Sequence, residues 1–98
     1  MILEVAILNI KKGLSDEYEK TFIEASKIIS SMKGYINHEL KKCVEQEDQY
    51  ILLVNWETIE DHEVGFRQSE EYQDWKKLLH RFYDPFPVVE HYSSVLAD

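Results

Sequence analysis

Trp56, His62, Phe66, Tyr72 and Trp75 place four large aromatic side chains around one histidine in a short stretch of chain. Gathered at the edge of a helical layer, such residues form a wall that stacks a flat ligand. His62 would then be the base or hydrogen-bond donor, because imidazole is the side chain best poised to take a proton near neutral pH. The plainer alternative makes Trp56 and Trp75 core aromatics and His62 a half-exposed helix residue. Arg67 suits an acidic group on a ligand, or a bridge to Glu63 or Glu70. Asn9 and Asn55 are amides set in apolar runs, and a buried amide needs a partner, either a ligand carbonyl or neighbouring backbone. His38, and His91 with Tyr92, are similar cases, His91 being placed equally well in a pocket or on an interface. Tyr35 and Tyr83 are weaker pocket candidates.

Other chemistries find no residues to carry them. No His, Asp and Glu set has a recognised metal spacing, and no Gly-rich phosphate loop occurs, so no cofactor or metal is expected. Cys43 is the one cysteine, which excludes an intrachain disulfide and suits a reducing, cytoplasmic setting. The first residues, MILEVAILNI, carry Glu4 and lack both a basic leader and a small-residue cleavage site, so a signal peptide is not expected. No apolar stretch approaches the ~18 residues of a membrane span. Lys and Arg number 11 against 19 Asp and Glu, a formal charge of −8. Such a chain is a poor partner for nucleic acid or an anionic membrane, and neutral small molecules or protein suit it better.

The elements that must position these residues follow from periodicity. Ile2 to Ile10 reads as a strand ending at Lys11-Lys12-Gly13. Leu14 to about Lys33 reads as a helix with Ser15 as N-cap, Asp16 and Glu17 in its first turn, and a stripe of Tyr18, Phe22, Ala25, Ile29 and Met32. Gly34 suits a left-handed cap. Tyr35 to Val44 and Tyr50 to Trp56 read as strands joined by a polar hairpin loop. Thr58 with Asp61 resembles a capping box. The helix that follows breaks around Gly65, which would permit the break or close packing. Ser69 caps a second piece with Tyr72, Trp75, Leu79 and Phe82 on one side, and Val88 to Leu96 is the last strand.

The order β-α-β-β-α-β is that of a ferredoxin-like α+β domain spanning residues 1–98, an antiparallel sheet with both helices on one face. The other face should be polar, yet Leu3, Val5 and Ile7 oppose Ile2, Ala6, Leu8 and Ile10, and Leu52, Val54 and Trp56 oppose Ile51 and Leu53. Leaving such side chains in water forgoes about 1.5–3 kcal/mol each. The simplest cover is the same face of a second copy, giving a homodimer.

The run Trp56-Glu-Thr-Ile-Glu-Asp-His62-Glu-Val-Gly65-Phe66-Arg67-Gln-Ser69-Glu-Glu-Tyr72-Gln-Asp-Trp75, with Pro87-Val-Val-Glu90-His91-Tyr92, resembles the antibiotic biosynthesis monooxygenase superfamily over nearly the whole chain. The resemblance implies a dimeric α+β barrel with a pocket between sheet and helices in each protomer. It also implies chemistry of the kind its members perform: metal- and flavin-free oxygenation of polycyclic phenols, haem degradation, or turnover of small quinone-like or signalling molecules. The Asn–Trp–His set of the haem-degrading members does not carry over, since Trp75 stands where they place a histidine and their strand-one Asn falls nearer Ala6 than Asn9. The resemblance therefore points to a cofactor-independent monooxygenase on an aromatic or quinol-like molecule. The alternative is a non-catalytic dimer holding a small apolar ligand.

Overall fold

The computed structural model describes residues 1–96. The elements run β1 (Ile2–Asn9), α1 (Ser15–Ile29), β2 (Tyr35–Lys42), β3 (Gln49–Trp56), a π-helical turn (Asp61–Phe66), α2 (Glu70–Leu79), a 3-10 turn (His80–Phe82) and β4 (Val89–Tyr92). The strands form one antiparallel sheet in the order β2-β3-β1-β4. This is the expected α+β ferredoxin-like arrangement.

Side-chain alternation divides the sheet into two faces. Glu4, Ala6 and Leu8 of β1 are buried with Tyr50, Leu52, Val54 and Trp56 of β3. Against them pack Tyr18, Phe22, Ala25 and Ile29 of α1 and Trp75 and Leu79 of α2, all in one core. Leu3, Val5, Ile51 and Leu53 point the other way and are only partly covered within the chain.

Several boundaries shift for identifiable reasons. Ser15 is the first residue of α1 rather than its cap; Leu14 stands at the cap position, and the Ser15 hydroxyl donates to the Asp48 carboxylate in the hairpin loop. Helix α1 stops at Ile29 instead of Lys33. There Ser30 and Ser31 turn their hydroxyls onto the Lys27 and Ile28 carbonyls, a local alternative to continued helix. Strand β2 ends at Lys42 rather than Val44, with a bulge between Tyr35 and Asn37, and β4 pairs over only Val89–Tyr92 of the expected Val88–Leu96. The Thr58–Asp61 capping box forms, with Asp61 N–H donating to Thr58 Oγ1 at 3.1 Å, but it opens a π-helical turn rather than an α-helix. Close packing does not require Gly65, because a Cβ there meets nothing nearer than the Glu60 carbonyl at 3.9 Å. Ser69 caps α2 as expected, its hydroxyl accepting from Tyr72 N–H at 3.1 Å.

Gly34 joins the α1 exit to the site-bearing segment. Its φ is +83°, its carbonyl accepts from Glu57 N–H at 2.8 Å, and an added Cβ would collide with the Asp61 side chain. Gly34→Ala therefore combines left-handed strain with a clash. Urea denaturation should show a loss of about 2 kcal/mol or more, with Gly13→Ala, whose Cα faces open space, costing less.

Candidate functional site

Under the helical layer the sheet leaves a cavity of about 120 Å³. Its floor is Glu4, Ala6, Leu8, Leu52 and Val89 of the sheet; Phe66, Tyr72, Trp75 and Tyr83 supply aromatic walls. His62 comes from the π-helical turn and Arg67 from the residue that caps it, and His80, Phe86 and Pro87 close the remaining side. The π-helical geometry, with Arg67 N–H donating to the His62 carbonyl at 3.0 Å, puts His62 and Phe66 on the inner side of one turn.

The polar end of the cavity is a chain of ionisable groups. Glu4 and His62 are 5 % and 3 % exposed. Trp56 Nε1–H donates to Glu4 Oε1 at 3.0 Å, and His62 Nε2 lies 3.3 Å from the same oxygen. The His62 ring stacks on Trp56, centroids 5.3 Å apart and planes 18° from parallel. His62 Nδ1 is hydrogen-bonded to His91 Nε2 at 2.8 Å, and His91 Nδ1 stands 3.7 Å from Oε1 of the half-exposed Glu63. Glu4 and His91 are paired across β1 and β4, which aims both side chains inward.

Burial drives both members of the inner pair toward neutrality. The Glu4 pKa is raised by loss of water, opposed by the Trp56 hydrogen bond and the Arg67 charge. His62 is pushed down to about 3, first by burial and then by Arg67 and His91. Tyr83 is pushed up to about 12, mainly by burial, so it faces the cavity as a neutral hydroxyl bonded to Tyr18 at 3.0 Å. Burial likewise lowers His80. Among the described residues, no three His, Cys, Asp or Glu side chains are arranged to hold a metal ion.

The structure brings together His62, Phe66, Arg67, Tyr72, Trp75 and the weaker candidate Tyr83 from the residues that the sequence singles out. Trp56 lies one layer behind, fully buried, as the support of Glu4 and His62 rather than as cavity wall. His91 is also second in line, behind His62. Asn9 and Asn55 lie away from the cavity: Asn9 Oδ1 accepts from Gln49 Nε2 at 3.1 Å, and Asn55 Nδ2 donates to Asn37 Oδ1 at 2.8 Å across the sheet. Both sit on the outward parity of their strands, which is the physical reason they miss the pocket. Tyr35 bonds His38 instead of facing the cavity. Arg67 forms no salt bridge with Glu63 or Glu70 among the described residues and stands at the cavity wall. Glu4, His80 and Phe86 are the site residues that sequence reasoning missed. For Glu4 the signal was its parity with Ala6 and Leu8; for Phe86, between two prolines, there was none.

The fold and this cavity define a class. The sequence profile of the antibiotic biosynthesis monooxygenase family matches residues 1–78, and the chain belongs to that family. It is 60 % identical over 95 residues to the uncharacterized protein YczJ of Bacillus subtilis, covering 97 % of this chain and 100 % of the relative. The crystal structure of a protein from Bordetella bronchiseptica named for the same family superposes with a TM-score of 0.92 at 32 % identity, covering 97 % of each chain. SnoaB, a cofactor-independent oxygenase from Streptomyces nogalater, superposes with a TM-score of 0.81 at 13 % identity over 98 % of this chain and 94 % of its own, a likeness of fold.

Two outcomes follow from the buried pair. Between the ordinary histidine value of 6.5 and about 3, the unfolded chain binds a proton at His62 that the folded chain refuses. Stability from this group therefore falls on acidification through that window. Glu4, raised rather than lowered, has the opposite sign, its contribution being lost as pH rises through its folded value. Urea denaturation across pH should show His62→Gln relieving acid destabilisation by several kcal/mol in order of magnitude; a wild-type-minus-variant difference that stays flat across the window contradicts a neutral buried His62. Trp56→Phe removes the donor to Glu4 and should cost about 1–3 kcal/mol beyond the change in packing, measured by the same method.

Proposed function

We propose that this protein is a cofactor-independent monooxygenase acting on a small aromatic or quinol-like molecule, and that it works as a cytoplasmic homodimer. One observation carries the reading: a buried carboxyl–imidazole pair closes the inner end of an aromatic-walled cavity. Family membership and the fold shared with SnoaB support it.

The chemistry asks little of the protein. Removing the hydroxyl proton of a phenol gives an electron-rich anion that O₂ can oxidise. Dioxygen is the oxidant: a ring C–H para to the hydroxyl becomes a carbonyl, the second oxygen atom leaves as water, and a quinone remains. Phe66, Tyr72 and Trp75 hold the ring, Arg67 stabilises the oxyanion at the wall, and the apolar floor of Ala6, Leu8, Leu52 and Val89 keeps bulk water from the reacting carbon. A cavity of about 120 Å³ suits one aromatic ring, since an apolar cavity of about 150 Å³ accommodates benzene.

The dimer rests on the outward sheet face. Leu3, Val5, Ile51 and Leu53 lie there partly covered, flanked by Ile7 at 44 % and Tyr92 at 52 % exposed. Covering them with a second copy would build the barrel and leave the cavity on the far side of the sheet. The free thiol of Cys43 supports the cytoplasmic setting. A second reading, a ligand-binding dimer without catalysis, is favoured by the fact that both ring nitrogens of His62 already face protein partners.

Oxygen uptake with monocyclic phenols whose para position is free, hydroxynaphthalenes and anthrones separates the two. The oxygenase reading expects uptake, fastest for single-ring substrates, and a loss of about 10²-fold or more in His62→Ala. Tight retention of these compounds with no uptake would establish the binder instead. Light scattering should give twice the 11.7 kDa chain mass, and Leu53→Glu should shift it toward monomer.

A further inference from the structure

We propose that Glu4, rather than His62, is the group that exchanges a proton with a ligand in the cavity, and that His62, His91 and Glu63 form the path joining it to solvent. The inference rests on the aromatic-ligand reading of the cavity and assigns its proton chemistry.

Both ring nitrogens of His62 face protein groups, whereas Glu4 keeps one oxygen without a partner. Nε2 faces Glu4 Oε1 at 3.3 Å and Nδ1 is bonded to His91 Nε2 at 2.8 Å, while the ring face lies on Trp56. Glu4 is different. Its Oε1 accepts from Trp56 Nε1–H and stands 3.3 Å from His62 Nε2, but Oε2 has no hydrogen-bond partner among the described residues, although no fully buried polar side-chain atom goes unsatisfied there. Oε2 therefore opens on the cavity that Glu4 lines. Beyond His62 the line continues through His91 Nδ1, 3.7 Å from Glu63 Oε1, and Glu63 is half-exposed. Two rings whose four nitrogens all face a titratable partner make a conduit from a dry carboxyl to water.

The step balances simply. Glu4 enters as the carboxylate that the Trp56 donor and the Arg67 charge favour, and His62 and His91 each carry their proton on Nδ1. The ligand O–H bond breaks, its electron pair stays on the ligand oxygen, and an O–H bond forms at Glu4 Oε2. After the carboxyl turns, it gives a proton to His62 Nε2 as His62 Nδ1 gives one to His91 Nε2 and His91 Nδ1 releases one to solvent beside the Glu63 carboxylate, 3.7 Å away. One proton enters and one leaves. Charged and titratable groups facing Glu4 are His62 from the π-helical turn, Arg67 from the residue that caps it, His91 from β4, and Tyr83 beyond the 3-10 turn.

The test uses 4-nitrophenol, a single-ring phenol whose absorbance reports its own ionisation. Binding is read separately, by calorimetry, on the full-length wild type and variants whose fold is checked by circular dichroism. Wild type should bind the phenol and raise its ionised fraction. Glu4→Gln, which keeps an oxygen for Trp56, should bind within a few-fold of wild type yet lose that ionisation at least tenfold; Glu4→Asp should restore part of it. In stopped flow with a pH indicator absorbing at longer wavelength, His91→Gln and Glu63→Gln should slow release of the ligand's proton to solvent at least several-fold while leaving the extent of ionisation near wild type. Binding with undiminished ionisation in Glu4→Gln and Glu4→Asp overturns the assignment but leaves the aromatic site standing. Unchanged rates in both path variants overturn the path. Failure of wild type to bind any phenol overturns the site and the assignment together.

Discussion

Glu4 carries a carboxyl group under the helical layer, where an ionised carboxylate without partners would cost several kcal/mol. The surrounding structure answers that constraint. Trp56 supplies a donor at 3.0 Å, His62 stands beside the same oxygen, and Arg67 places a positive charge within reach at the cavity wall. The arrangement extends to Trp56 itself, whose indole N–H is satisfied by the carboxyl and whose ring face is covered by His62. A tryptophan at the end of a central strand thus becomes structural support for an ionisable pair.

Holding that pair requires the chain to arrive at His62 from a defined direction. The left-handed Gly34 brings the end of α1 back to β2, accepts a hydrogen bond from Glu57, and lies against Asp61, the first residue of the π-helical turn. The wider turn then sets His62 against Trp56 and Phe66 against Trp75, whose rings meet at 5.5 Å and 80°. Ser69 restarts a regular helix from which Tyr72 and Trp75 complete the wall. The irregular turn is a positioning element, consistent with the frequent occurrence of π-helical turns at functional sites.

The two faces of the sheet have separate tasks. The inward face of β1 alternates Glu4, Ala6 and Leu8, one acid followed by small and medium apolar residues, and this leaves space under the helices. The outward face is apolar in the central strands and polar on β2, where Asn37, Glu39 and Lys41 stand. Many chemistries share such a scaffold, so family membership sets the layout, and the groups inside each cavity decide what it can do.

Much of this was legible in the chain. The order of elements, the antiparallel sheet, the burial stripes of both helices and the break between His62 and Ser69 all follow from periodicity and turn chemistry, because each is decided by neighbours a few residues apart. The grouping of His62, Phe66, Arg67, Tyr72 and Trp75 was likewise visible, since these residues lie close in sequence. What only the tertiary structure decided is which distant groups meet them. Glu4 and His91 come from the first and last strands and join His62 only when β1 and β4 pair, while Asn9 and Asn55 turn away because strand parity sends them to the other face. A glutamate inside an otherwise apolar strand marks an anomaly in the sequence, but its partners depend on contacts between residues far apart along the chain, which no local pattern encodes.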